Sequence, residues 1–388
     1  KFGQNKHFKE MKKILHIITG LEKGGAENVL FKLVKNDTKF KHIIISLGGP
    51  GYYGKLLKKQ GFLVYCINLR KSFLDLKKIF YIRKIIKIKN PDLIQTWMYH
   101  GNLIGSLSSI FLKNKKVYWN IRQSNDDKTY TSLNTRLIIK LCAILSKFLP
   151  KKIICPSKSS IKIHINSGYP KYKFIHINNG FEIDKFKEKF KTRHLLRKKL
   201  KIHGNTCLFG MLARWHPQKD HVSLINSFKI LKDDCRNKFN WKLLLVGKGI
   251  LKNKKLNDLL KEKKLLEQTI LEDDTDNVNG FLSALDINIL SSSYGEAFPN
   301  IIGEAMSCST PTIATNVGDS SLILGNHGWI AKPHNPRSLY NCIIRAYRTK
   351  KNKKKWNNLK KLSRDRIVEK FTIKKMINNY QIAWSKEL

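Results

Sequence analysis

Residues Ser291–Asp319 read SSSYGEAFPNIIGEAMSCSTPTIATNVGD. Glu296 and Glu304 stand eight residues apart there, with Phe298, Pro299 and Asn300 between them, in a chain poor in acids. The preceding INILSS is a buried strand by its apolar run, and IIGEAMSC is a helix whose start is set by Pro299 and Asn300. Glu296 is therefore expected in the loop before the helix and Glu304 on its first turns. Between them lie the free N–H groups and positive dipole of a helix N-terminus, a natural seat for phosphate.

That order, carboxylate, anion seat, carboxylate, matches the layout of a nucleotide sugar: sugar hydroxyls, diphosphate, ribose hydroxyls. The plainer reading is a helix with one Glu favouring its dipole and one incidental loop Glu. Two acids also serve a glycoside hydrolase, but there they flank one bond at defined separations and need no phosphate seat. Upstream, ARWHPQKD places Arg214 just past a strand and Lys219 just before a helix, an Arg and a Lys suited to a diphosphate. Near the start, TGLEKGGAENVL puts Gly24 and Gly25 in a strand-to-helix turn where backbone can approach phosphate. It lacks the G-x-G-x-x-G spacing of a dinucleotide site, and a plain turn explains it as well.

Around these motifs the chain alternates short apolar runs with helical segments. KILHIIT, HIIISL, LVYCINL, DLIQTW, VYWNIR, KIICPS and KFIHINN read as strands of a doubly wound α/β sheet buried on both faces. A charged stretch follows, and then CLFGMLA, KLLLVG, TILED, INILSS and PTIAT repeat the pattern. The expected organisation is an extension at 1–10, a Rossmann-like acceptor domain at 11–184 and a linker at 185–204. A second Rossmann-like, nucleotide-sugar domain covers 205–370, and a helix at 371–388 packs back toward the first domain. Two such domains are expected to face each other across a donor-binding cleft.

Composition narrows the function. The 388 residues, 41% hydrophobic and 10% aromatic, can bury real cores. Lys and Arg number 75 against 28 Asp and Glu, a net charge of +47 that attracts anions. AT-rich coding bias, which enriches Lys, Asn and Ile together, accounts for the same charge without function. The seven cysteines are scattered, with no C-x-x-C or Cys/His cluster, so neither a zinc site nor a disulfide framework is expected. Asp126–Asp127, Asp233–Asp234 and Asp273–Asp274 read as surface features. The most apolar run, LIIKLCAILSKFL, is interrupted by Lys140 and Lys147, and a cytoplasmic location, peripheral to a membrane, is the expectation.

Taken together, the motifs resemble the family 4 retaining glycosyltransferases of GT-B fold, from about Met11 to Leu388. The resemblance rests on GLEKGGAENVL, on PSKSSIKIHINSGYPKYKFIHINNGFEIDKF, on ARWHPQKD, on LLLVGKG and above all on the E-x7-E block from Glu296. It implies that Arg214 and Lys219 neutralise a donor diphosphate, that Glu296 holds the transferred sugar and that Glu304 binds ribose. Phe298, Pro299 and Asn300 would touch sugar and phosphate through their backbone, and Gly24 and Gly25 would close over the phosphates and admit the acceptor. The family often carries a His near the anomeric centre, where YWNIRQSN here offers Arg122. Asn178 replaces the usual proline before NG, and His100, in WMYHGNL, either faces the acceptor or packs.

The implied reaction is metal-independent hexosyl transfer from a nucleotide sugar, a UDP-sugar first, to a glycan or lipid-linked acceptor in polysaccharide biosynthesis. No cofactor is implied, since the nucleotide sugar is a substrate. The basic stretch Arg70–Lys89, mixed with Ile79, Phe80, Ile82, Ile85 and Ile86, is either a scaffold helix with a solvated face or a surface for anionic membrane. Two alternatives stand beside this reading: a nucleotide-sugar epimerase of the same fold, and a basic nucleic-acid-binding protein. The latter lacks any RRM, OB or helix-turn-helix signature, and nucleic acid is not the expected partner.

Overall fold

The continuous apolar runs are strands, and every pairing among them is parallel. The structure, a computed structural model, describes residues 11–69, 75–113, 115–124, 133–234 and 239–388. The expected extension at 1–10, Arg70, the Asp126–Asp127 pair and Cys235 lie outside the described residues.

The first sheet contains β1 (Lys13–Ile18), β2 (Lys41–Ser46), β3 (Leu63–Cys66) and β4 (Leu93–Trp97). It is completed by β5 (Lys116–Asn120), β6 (Lys152–Cys155) and β7 (Phe174–His176), in the order β3-β2-β1-β4-β5-β6-β7. The second contains β8 (Cys207–Leu212), β9 (Trp241–Val246), β10 (Thr269–Glu272), β11 (Ile287–Leu290), β12 (Thr312–Thr315) and β13 (Gly328–Ala331). Its order is β10-β9-β8-β11-β12-β13. Helices cross between successive strands, as parallel pairing requires. Central strands are mostly apolar because helices cover both faces: Ile14, Leu15, Ile17 and Ile18 of β1 are all fully buried.

Contacts divide the chain into two compact α/β units. Of the described residues, one takes those up to Arg122, those from 133 to Asn178, and Met376–Leu388; the other takes Gln123, Ser124 and Asn179–Lys375. From Met376 onward the last helix, Ile373–Ser385, thus packs into the first unit. Trp384 is fully buried there and its Nε1 donates to Gln95 Oε1 at 3.0 Å, while the Tyr118 hydroxyl donates to the Ala383 carbonyl at 3.2 Å.

Two features depart from the sequence reading. The charged stretch 185–204 contains the helix Phe190–Lys199, counted within the second unit. Arg193 Nη1 donates to the carbonyls of Ser283, Ala284 and Leu285 at 3.0, 2.9 and 2.6 Å, satisfying the orphan end of the helix Val278–Ala284. Arg193 and Arg197 also grip the carboxylate of Asp286, at 2.6 and 3.3 Å. The strand β13, GWIA, was not expected: at four residues with a leading glycine it carries little pattern of its own, and β12 supplies its ladder.

Candidate active site

In an open parallel sheet, the loops that follow two neighbouring strands diverge where the strand order reverses, and they leave a crevice at the carboxyl edge. In the second sheet that point lies between β8 and β11. The loop after β8 is 213–220, with Lys219 ending a short 3₁₀ turn, Pro217–Lys219. The loop after β11 is 291–299. The two are stitched together: Ser293 N donates to Gln218 O at 2.9 Å, and Ser291 Oγ to Lys219 O at 2.8 Å.

This stitching brings Lys219 and Glu296, 77 residues apart, into a salt bridge between Nζ and Oε1. Ser292 Oγ donates to the same carboxylate oxygen at 2.8 Å. Both side chains are mostly buried, 20% and 11% exposed respectively. A third loop holds Glu296 from behind. Gly318 lies in the left-handed region at φ +59°, and a Cβ there would overlap the Glu296 carbonyl oxygen. Asp319 N, next to it, donates to Ala297 O at 2.9 Å.

The helix Asn300–Ser307 starts directly from this loop, with Pro299 at its N-cap and no side chain capping its first turn. The sequence reading had Pro299 and Asn300 set this end. Pro299 does so by its backbone, but the Asn300 side chain turns aside and accepts from Asn179 Nδ2 at 2.7 Å. The leading N–H groups are thus left without a side-chain partner, the arrangement that suits an anion. Phe298 is buried and stacks on Phe181 at 6.3 Å, fixing the approach to the helix. Glu304 is buried on the second turn.

Arg214 is exposed on the Lys219 loop. Burial, and then the charges of Arg214 and Lys219, push the pKa of His216 down. His221, at the start of the next helix, is pushed to about 4 by burial and then by Lys219. Burial is the larger cause at both histidines, and the neighbouring cations add to it.

The first unit's candidates sit at the carboxyl edge of their own sheet. Gly24 is the N-cap of the helix Gly25–Asn36, in extended backbone, and a Cβ on it would overlap the Glu27 carboxylate, which folds back over the helix start. Arg122 follows β5. Its guanidinium lies 5.7 Å from the Trp97 ring centroid and 3.5 Å from the Tyr380 hydroxyl, to which Nη1 donates. Burial lowers its pKa, partly offset by Tyr380 and by the Glu27 charge among others, and a guanidinium stays cationic throughout. His100 lies in the helix Met98–Ser109, its pKa lowered by burial.

Sequence reasoning missed the relay beneath Trp97. Trp97 Nε1 can only donate, and it lies 3.2 Å from His16 Nδ1. The His16 proton is therefore on Nε2, 2.9 Å from His42 Nδ1, and the His42 proton is on Nε2, 3.1 Å from Asp37 Oδ2. The signal was a histidine inside each of two otherwise apolar strands, KILHII and KHIIIS.

Residues 206–349 match the family model described as Glycosyl transferases group 1. The UDP-Gal:alpha-D-GlcNAc-diphosphoundecaprenol alpha-1,3-galactosyltransferase of Escherichia coli is 21% identical over 370 residues, 94% of this chain and 93% of that protein. An uncharacterized glycosyltransferase of Methanocaldococcus jannaschii is 29% identical over 253 residues, 63% of this chain and 60% of its own. Anabaena HepE, solved in complex with UDP and glucose, superposes with a TM-score of 0.82 at 19% identity, covering 96% of this chain and 99% of that one. A glycosyltransferase from Rickettsia africae gives 0.82 at 21% identity, with 97% and 99% covered. The two parallel α/β units have the GT-B fold, and the segment that spans the β8–β11 crevice is the part of the chain similar to the group 1 glycosyltransferases.

Proposed function

We propose that the protein is a retaining hexosyltransferase that moves a sugar from a UDP-sugar to a glycan or lipid-linked acceptor, without a metal or other cofactor. The observation that carries this reading is the Lys219–Glu296–Ser292 cluster at the β8–β11 crevice, beside the uncapped start of the helix Asn300–Ser307. The relatives favour the donor and acceptor classes: the E. coli protein is named for UDP-Gal and a diphosphoundecaprenol acceptor, and HepE was crystallised with UDP and glucose.

In this mechanism Lys219 and Arg214 place their cations on the donor diphosphate, and the segment Phe298, Pro299 and Asn300 presents backbone to sugar and phosphate, the N–H groups from Asn300 onward taking the remaining charge. Fixed charges aimed at the leaving group need no reorganisation as the bond breaks. Glu296 accepts hydrogen bonds from the sugar hydroxyls, and Glu304 from the ribose diol. Gly24, Gly25 and Arg122 belong to the first unit and are assigned to phosphate and to the reacting centre on the motif match. The bond from the anomeric carbon to the phosphate oxygen breaks, and the acceptor oxygen bonds to that carbon from the same face. The acceptor's proton passes to the departing phosphate oxygen, so Glu296 orients and does not attack.

Among the described residues no helix is long and apolar enough to cross a membrane. The reading places the protein in the cytoplasm, meeting its acceptor at an anionic membrane surface. Product analysis tests the stereochemistry: with the competent donor and acceptor, the anomeric proton coupling in the product should keep the donor's configuration. An inverted product would refute the retaining mechanism.

A further inference from the structure

Two helices of the first unit are apolar on both faces. In Leu76–Lys89, Ile82, Ile85 and Ile86 enter the core, yet Phe80 is 66% and Ile88 65% exposed on the outer side. In Leu133–Leu145, Ile138, Cys142 and Ala143 enter the same core. Leu137, Leu141 and Ile144 are 68%, 40% and 59% exposed, at spacings of four and three that align them in one stripe. Phe148, in the following turn, prolongs it at 76%. The helix Met98–Ser109 lies between the two and touches both. The turn after it carries Phe111, which is 89% exposed, and Arg83 Nη1 ties that turn to the first helix through the Ile110 carbonyl.

Neither flanking helix contains an Asp or Glu, whereas Lys77, Lys84, Lys87 and Lys140 are exposed among the apolar side chains. We propose that this two-helix face docks on an anionic lipid bilayer. It deepens the membrane part of the proposed function and rests on that reading for its purpose. The chemistry selects the occupant. A polyanion such as nucleic acid would satisfy the lysines and leave the apolar stripe in water. A second copy would satisfy the stripe and set cation against cation. The headgroup boundary of an anionic bilayer takes apolar side chains at its depth and lysines at its surface.

The test is co-sedimentation of the full chain with vesicles of phosphatidylcholine alone or mixed with phosphatidylglycerol. Binding is expected to need phosphatidylglycerol. Leu137→Glu with Ile144→Glu should weaken partitioning at least about 10-fold, from two lost apolar anchors. Leu266→Glu, at a 40% exposed position in the other unit, should stay within about 2-fold of the parent. Lys140→Ala with Lys147→Ala should weaken binding at least about 5-fold in low salt and less in high salt. Equal binding to both vesicle types, or an unchanged double Glu variant, would overturn the proposal. So would variants that instead abolish oligonucleotide binding or split a dimer. Nucleotide release from soluble donors should survive in the double Glu variant. If the parent releases none from any donor while vesicle binding still maps to the stripe, the transferase reading falls and the surface stands. If release persists and vesicle binding is absent, the surface alone falls.

Discussion

Replacing Lys219 by Ala separates two roles of one ammonium. In the resting site it bonds the Glu296 carboxylate, and in the reaction it is assigned to the leaving diphosphate. Losing one preorganised group at a developing charge costs about 3–4 kcal/mol, on the order of 10²- to 10³-fold in turnover. The structural cost is smaller. Glu296 keeps Ser292 Oγ at 2.8 Å and is 11% exposed, so the penalty falls short of a fully buried orphaned charge and should be about 1–2 kcal/mol. For a unit of this size that lowers Tm by about 2–8 °C. The assay is steady-state release of nucleoside diphosphate, with thermal unfolding measured on the same preparation. Turnover should fall far more than KM rises, because the interaction strengthens as the bond breaks. Release within about 3-fold of the parent, in a protein that melts lower by the stated amount, would show that Lys219 is a structural partner of Glu296 and nothing more.

Gly318→Ala should lose at least about 1–2 kcal/mol of stability and most activity, since a Cβ there both strains a left-handed backbone and overlaps the Glu296 carbonyl. Gly318→Asn, which tolerates that backbone region, should not rescue it, and melting with nucleotide release would check both. Burial alone would raise the pKa of Asp286, but the charges of Arg193, Lys350 and Arg197 and the Leu208 N–H hold it below its ordinary value. Its stabilising contribution is therefore present above the unfolded carboxyl pKa, about 4, and is lost as pH falls through the lower folded value. Asp286→Asn should cost about 2–3 kcal/mol at neutral pH and flatten the acid limb of stability against pH, read by denaturant titration.

Much of this was legible in the residues, for identifiable reasons. Parallel strands buried on both faces are continuous apolar runs, so twelve of the thirteen strands among the described residues could be read directly, while β13, too short to carry a pattern, escaped. The Glu296 loop and its helix were legible because proline, glycine and helix-start chemistry are local. What stayed hidden depends on partners distant in sequence. The bond between Lys219 and Glu296 spans 77 residues, and Arg122 meets Tyr380 across 258. The helix Phe190–Lys199 has no fully buried residue of its own to betray it; Leu196 packs only partly on the core, and Asp286 with three carbonyls adds the polar grip that docks it. The Asp37–His42–His16–Trp97 relay likewise joins three strands' worth of sequence through tautomers that no pattern records.

The most direct test is nucleoside diphosphate release by the parent and by Glu296→Ala, side by side, across a panel of UDP-, GDP- and ADP-sugars in EDTA. The account predicts release from a UDP-sugar that survives the chelator and collapses in the variant. Release that vanishes with EDTA, or that Glu296→Ala leaves intact, would contradict a metal-free transferase built on this carboxylate.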